Sequence, residues 1–245
     1  TKLIDTEFYE TSSDAWLADF NNDGIEDIAL GRMPASNGTE AAKMVEKTLR
    51  YQKQKRNPNR QNTLIADRGF EHYNNLTVSQ LPGNVETTRI ERNSLTDAEM
   101  HDQIVNRLNA NPQVVTYTGH GSGGLWASAD VFTLYDAGQL TNQELSLYLL
   151  MTCSNGFTNS PYNSSMAEML LKAGNGGAAL VWASSGTTYP DKQFEMTGIV
   201  TDLLYQENAE QTRIGDVLMR AKHGTQDSDV RRTWLLIGDP TSFVK

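Results

Sequence analysis

Cys153 is the only cysteine in the chain, and it follows the apolar run Leu149-Leu150-Met151 with one threonine between. It opens the tight polar turn Ser154-Asn155-Gly156. His120 ends a second apolar run, Val114-Val115-Thr116-Tyr117-Thr118, and lies between Gly119 and Gly121. Both runs read as strands, and both turns carry a reactive group at the strand's carboxyl end. In open α/β sheets, reacting groups gather at those ends. A thiol of pKa near 8.5 is only a few per cent ionised at neutral pH, so a nucleophilic cysteine needs a base or a positive dipole. The glycines beside His120 leave room for an imidazole and for substrate backbone. The turn after Cys153 can aim N–H groups at a developing oxyanion. Taken one at a time, these residues also fit quieter roles, since a lone cysteine packs well as a small hydrophobe.

A second constellation calls for a cation. Asp19-Phe20-Asn21-Asn22-Asp23-Gly24-Ile25-Glu26-Asp27 places oxygen donors at alternate positions, with glycine at the sixth for a sharp turn. This pattern matches the first nine residues of an EF-hand-type loop, with Asp19, Asn21, Asp23, the Ile25 carbonyl and Asp27 as ligands. Leu30 stands where the terminal bidentate glutamate would be. The expectation is an abbreviated, structural Ca²⁺ site, with an unmetallated Asx-rich turn as the alternative. His72, His101 and His223 show no metal-ligand spacing, which argues against zinc.

The positioning elements follow from periodicity. Ala41, Met44, Val45, Thr48 and Leu49 fall on one face of a helix, which runs into a polar, Pro-containing stretch at residues 53–59 that reads as a linker. Before it, residues 27–31 read as a short strand. Beyond Arg60, strands alternate with amphipathic helices. The strands are expected at residues 64–66, 114–117, 147–151, 177–183 and 234–237. Thr96-Asp97-Ala98-Glu99 is a capping box that opens a helix with Met100, Ile104 and Leu108 on one stripe. Helical spacing recurs in Met166, Met169, Leu170 and Ala173, and in Ile214, Val217, Leu218 and Ala221. Apolar strands separated by such helices predict an α/β fold with a mostly parallel sheet covered on both faces. Asp227-Ser228-Asp229 reads as an exposed loop.

At 245 residues the chain can bury a substantial core. A formal net charge of -9 argues against phosphate-backbone binding, which rests on Lys and Arg. No apolar run approaches the ~18 residues of a membrane span. The sequence opens on Thr1 without a signal-peptide pattern and reads as a piece of a larger multidomain chain.

Tyr117-Thr118-Gly119-His120-Gly121-Ser122, with Trp126 following, and Thr152-Cys153-Ser154-Asn155-Gly156-Phe157 together resemble the gingipain family of caspase-like cysteine peptidases. Val181-Trp182-Ala183-Ser184-Ser185-Gly186, Leu236-Ile237-Gly238-Asp239-Pro240 and Asp27-Ile28-Ala29-Leu30-Gly31-Arg32-Met33-Pro34 extend the likeness, in family order, from about residue 14 to the end. The resemblance implies a caspase-like three-layer α/β/α sandwich. It implies Cys153 as nucleophile, His120 as general base and acid, and the Gly121 and Cys153 backbone N–H groups as oxyanion donors. It places the substrate pocket at Asp67 and at the segment containing Ser184, Ser185 and Tyr189. Asp67 would suit a basic P1 side chain, whereas Arg68 would favour an acidic one or neutralise Asp67. An acid orienting His120 would be Asp67 or Glu71. Residues 1–60 would then be the last part of an N-terminal subdomain, and residues 61–245 the catalytic subdomain. The expected activity is that of a secreted or cell-surface, bacterial-type endopeptidase acting on peptide or protein substrates. The competing expectations are a catalytically inactive interaction module and a calcium-binding domain of a larger surface protein.

Overall fold

The computed structural model describes residues 2–54, 61–127, 131–206 and 212–243. The chain opens with the antiparallel pair β1 (Lys2–Ile4) and β2 (Thr11–Ser13). The strand expected at residues 27–31 is irregular instead, and sheet pairing there is limited to a single bridge between Arg32 and Ile237. The backbone leading into it is held by the preceding loop, where Asp27 N donates to Ala18 O (2.8 Å) and Phe20 N to the Asp27 carboxylate (2.7 Å).

Helix α1 (Gly38–Lys53) starts at Asn37, whose side chain accepts from Glu40 N. Its buried face is Met44, Lys47, Thr48 and Tyr51, while Val45 and Leu49 are exposed. The stripe is rotated from the expected one because Lys47 reaches inward. Its ammonium donates to the carbonyls of Leu171 (2.7 Å), Gly176 (2.8 Å), Ala173 (3.0 Å) and Leu170 (3.3 Å). The expected linker begins within α1, and its residues 55–60 lie outside the described residues.

Strands and helices then alternate: β3 (Asn62–Ala66), α2 (Glu71–Gln80), β4 (Thr87–Glu91), α3 (Asp97–Asn109) and β5 (Val114–Thr118). The Thr96 capping box opens α3 as expected, and Met100, Ile104 and Leu108 are buried. A small antiparallel sheet of β6 (Gly121–Ser122), β7 (Leu125–Trp126) and β8 (Phe132–Thr133) follows, then α4 (Leu134–Gly138) and β9 (Ser146–Met151). The chain continues through α5 (Met166–Lys172), β10 (Ala178–Ser184), α6 (Pro190–Tyr205), α7 (Ile214–Gly224), α8 (Ser228–Thr233) and β11 (Trp234–Ile237). Residues 228–233, expected in part as loop, are helical because Asp227 accepts from Asp229 N and Val230 N and caps the turn.

Six strands form the central sheet in the order β11-β10-β9-β5-β3-β4, parallel throughout except for β11. Alternation along the strands divides the core in two. Tyr148, Leu150, Val181 and Ala183 face a cluster built with residues of α1, α3, α4 and α5. Leu147, Leu149, Met151 and Trp182 face the opposite cluster, with residues of α6, α7 and α8. Helix α2 packs on α6, on that second side. The result is the three-layer α/β/α sandwich, with strands apolar on both faces as a covered parallel sheet requires.

Chain order fixes where a cleft can open. Strand β3 leads through α2 outward to β4, whereas β5 leads the other way to β9. Neighbours whose connections leave toward opposite faces create a crevice beyond their carboxyl ends. In this sheet that rule puts the expected crevice at the ends of β3 and β5, beside β9.

Candidate active site

The candidate pair follows two adjacent strands of the sheet. Thr118 of β5 pairs with Met151 of β9, and Gly119 N still donates to Met151 O (3.3 Å). His120 and Cys153 each lie two residues past that pair, in the turns that follow the adjacent parallel strands β5 and β9. Such strands run about 4.8 Å apart. His120 is exposed and Cys153 half-buried, so both are open to solvent.

The imidazole side rests on a buried scaffold. His120 N donates to Asp67 Oδ2 (3.3 Å), and the ring stands edge-on to Phe70 with centroids 5.0 Å apart. Tyr117 Oη donates to His120 O (2.6 Å), while Ala127 N bonds both that carbonyl and the phenol, each at 2.7 Å. Burial raises the Tyr117 pKa well above its ordinary value, so the phenol is a fixed neutral donor. Its ring stacks on Trp126 (4.5 Å), and Trp126 Nε1 donates to Asn155 Oδ1 (2.8 Å). Asn155 also donates to the carbonyls of Ser122 and Leu125. One amide thus couples the turn after Cys153 to the hairpin after His120.

Asp67 immediately follows β3 and is 1% exposed. Its Oδ1 accepts from Arg92 Nη1 and from Arg68 N, at 2.8 and 2.7 Å. The Asp67 bond, aided by Asp97, raises the Arg92 pKa. This geometry makes Asp67 a support for the His120 backbone. With its carboxylate committed to Arg92, it is not positioned as a free counter-charge for a substrate. Glu71 Oε2 accepts from Gly69 N (3.0 Å) and shapes the same loop.

The thiol side is a junction of loops. Cys153 Sγ lies 3.9 Å from Thr188 O, the geometry of a weak S–H donor. Ser154 adopts φ 57°, its N–H donating to Gly186 O (3.0 Å), and Gly156 N donates to Ser184 O (2.7 Å). Gly121 lies so close to Thr152 that a Cβ there would sit 2.5 Å from its hydroxyl. Ser184 and Ser185 were expected in the pocket, but both are fully buried. Ser184 Oγ bonds Gly186 O and Thr233 Oγ1, each at 3.0 Å, and Ser185 Oγ donates to Ser12 O (2.5 Å). They shape the loop from behind. Tyr189 is exposed on its rim, and its hydroxyl donates to Glu7 Oε1 (2.9 Å), a bond that raises the phenol's pKa.

Four residues of this arrangement escaped the sequence pattern as site residues: Phe70, Arg92, Glu7 and Tyr9. Arg92 meets Asp67 across 25 positions and Tyr9 meets Ser154 across 145, spacings that no local periodicity records.

The oxygen-rich loop turns its side chains onto its own backbone. Asp19 accepts from Asp23 N (3.2 Å) and Gly24 N (2.9 Å), Asn21 from Asp23 N (2.9 Å), and Asp23 from Ile25 N (2.9 Å). Asn22 (φ 62°) and Gly24 (φ 81°) make the left-handed steps. Among the described residues, no three His, Cys, Asp or Glu side chains converge as a metal centre. The loop fits calcium in donor chemistry, all of it hard oxygen, and not as a preformed carboxylate cage. Next to it, Lys222 pairs with Glu26 at 2.6 Å, both buried, tying the loop to α7. None of the described helices is long and apolar enough to cross a membrane.

The profile of Peptidase family C25 matches residues 2–244. The fold is similar to that of RgpB from Porphyromonas gingivalis, in a complex of its pro- and mature domains, with TM-score 0.82 and 20% identity over 96% of this chain and 61% of that one. A structure described as the Arg specific cysteine proteinase gingipain R (RGPB) gives TM-score 0.83 and 20% identity over 96% and 60%. Separase from Saccharomyces cerevisiae, in complex with securin, shares the fold at TM-score 0.60 and 12% identity, over 89% of this chain and 14% of separase. The chain thus spans about three-fifths of the gingipain chains it resembles. No curated protein sequence matches it. A family profile running through both the His120 and Cys153 turns, on a caspase-like sheet, means that this chain belongs to Peptidase family C25, the gingipain family of cysteine peptidases.

Proposed function

We propose that the protein is a cysteine endopeptidase using Cys153 and His120. The observation that carries this reading is that each follows its strand, β5 or β9, by two residues, beyond the paired ends Thr118 and Met151 of two adjacent parallel strands. His120 takes the thiol proton, and Sγ attacks the peptide carbonyl carbon. The C=O π electrons move to oxygen, and the Gly121 and Cys153 backbone N–H groups stabilise that oxyanion. As the C–N bond breaks, the imidazolium returns its proton to the departing amine. Water, deprotonated by His120, then cleaves the thioester and frees Sγ.

The pocket is proposed to prefer a basic P1 side chain. A relative is described as Arg specific, and the carboxylate bonded on the Tyr189 rim is that of Glu7. Asp67 gives this preference no support, because Arg92 neutralises it. The test combines alkylation by iodoacetamide with turnover of fluorogenic peptides varied at P1. His120→Ala is expected to lower turnover by about 10²–10⁴-fold and to remove the thiol's fast alkylation, while Cys153→Ala abolishes both. A thiol that reacts like free cysteine, in a protein that cleaves no peptide, would make it an inactive interaction module.

We also propose calcium at the Asp19, Asn21, Asp23, Ile25 and Asp27 oxygens, as a structural ion and in keeping with a secreted or cell-surface setting. Abbreviated extracellular loops bind at roughly 10⁻⁴–10⁻³ M. Millimolar Ca²⁺ should raise the melting temperature over EDTA, and Asp19→Ala should abolish the rise. Identical melts in both buffers would end the calcium reading.

A further inference from the structure

Ser154, immediately after Cys153, holds a left-handed φ of 57°. Side-chain-bearing residues adopt this conformation where their surroundings impose it. Backbone bonds from Ser154 N to Gly186 O (3.0 Å) and from Phe157 N to Ser154 O (3.1 Å) hold one side. The hydroxyl is held from elsewhere: Tyr9 Oη lies 2.8 Å from Ser154 Oγ and 3.1 Å from Thr187 Oγ1. Thr187 precedes Thr188, whose carbonyl faces the thiol at 3.9 Å. A single phenol therefore bridges the two loops that flank Sγ.

The segment presenting Tyr9 is anchored along its length. Thr6 Oγ1 donates to Tyr9 O (2.6 Å) and accepts from Tyr9 N (3.2 Å), closing a local turn. Glu7 N donates to Asp229 Oδ2 (2.8 Å), and the Phe8 ring lies 5.1 Å from that of Tyr189. Downstream, Thr11 Oγ1 donates to Ser185 O (2.8 Å). Tyr9 is 43% exposed, so its ring adds little to the core while its hydroxyl faces the site.

We infer that Tyr9 is a positioning residue of the cysteine site, its hydroxyl fixing the Ser154 and Thr187 loops to each other and so the direction of the thiol between them. This rests on Cys153 being the nucleophile. Tyr9→Phe keeps the ring and removes the tie. It should slow both Cys153 alkylation and kcat about five-fold, the scale of one neutral hydrogen bond, with KM and melting temperature unchanged. Ser154→Ala should slow both alike, and the double variant should be no slower than either single one, because all three lack the same contact.

A fast wild-type thiol matched in rate by Tyr9→Phe overturns the inference alone. Slowing that follows a fall in melting temperature in both single variants shows a merely structural role and also overturns it. A wild-type thiol no faster than free cysteine, and unaffected by His120→Ala, overturns the nucleophile reading and this inference with it.

Discussion

The two halves of the candidate site are held by different forces. On the imidazole side, the backbone of His120 is fixed by a buried ion pair and an aromatic stack: Asp67 with Arg92, and Tyr117 with Trp126. On the thiol side, many of the fastenings are neutral hydroxyl and carbonyl bonds between loops, several of them exposed. Removing one partner of a buried ion pair costs about 3–5 kcal/mol, whereas a neutral hydrogen bond contributes about 1 kcal/mol. The backbone under His120 is therefore anchored in the folding core, and the turn bearing Cys153 in a surface that can adjust. Changes near His120 should cost stability and activity together, while changes around Cys153 should alter rate at nearly constant stability.

The largest expected effect comes from Arg92→Met. Asp67 would stay buried at 1% exposure without its cation, and α3 would lose the Arg92–Asp97 contact (2.8 Å) in its first turn. Urea unfolding should show a loss of about 3–5 kcal/mol. A loss under about 1 kcal/mol would put this pair in the range of exposed ones and remove the contrast between the two sides.

Gly119→Ala probes the same side by crowding. A Cβ there would fall 2.4 Å from Asp67 Cβ and 2.7 Å from Tyr117 Oη, both parts of the buried scaffold. Overpacking of this kind costs about 1–3 kcal/mol. Displacing Tyr117 also shifts the His120 carbonyl it holds, so urea midpoint and alkylation rate should fall together. A normal midpoint would mean that the scaffold yields as readily as the loops.

This division also explains what the sequence disclosed. The buried strands and the α3 stripe follow local periodicity, because covered faces demand apolar residues at fixed intervals. The turns bearing His120 and Cys153 stand out because glycine and polar residues interrupt those runs. The ion pair and the Tyr9 tie left no such mark, since their partners meet only after the sheet is assembled. Helix α2 escaped for another reason: its buried positions include Asn74 and Thr77, so it lacks a strong apolar stripe. Val45 and Leu49 misled because the α1 position that is buried in their place is a lysine whose carbonyl acceptors are far along the chain. In the sequence Asp67 shows only its charge, and the fold reveals the Arg92 guanidinium that claims it.

The smallest effect separates the pH response of the fold from that of the site. His101 on α3 bonds Asp136 through Nε2 (3.1 Å) and Asp102 through Nδ1 (3.2 Å), and these bonds raise its pKa against the opposing effect of burial. Asp136 in turn accepts from Thr133 at the start of α4, so the imidazolium ties α3 to α4. A group whose pKa is higher folded than unfolded contributes stability that is complete below its unfolded value, near 6.5. That contribution fades as pH rises through the folded value. The His101→Gln variant should therefore lose most stability relative to wild type under acidic conditions and approach it at alkaline pH. His101 belongs to the α3–α4 layer and not to the crevice, so the pH profile of Cys153 alkylation should be the same in both proteins. A shifted alkylation profile would couple that layer to the thiol and dissolve the separation between the core-anchored His120 turn and the loop-held Cys153 turn.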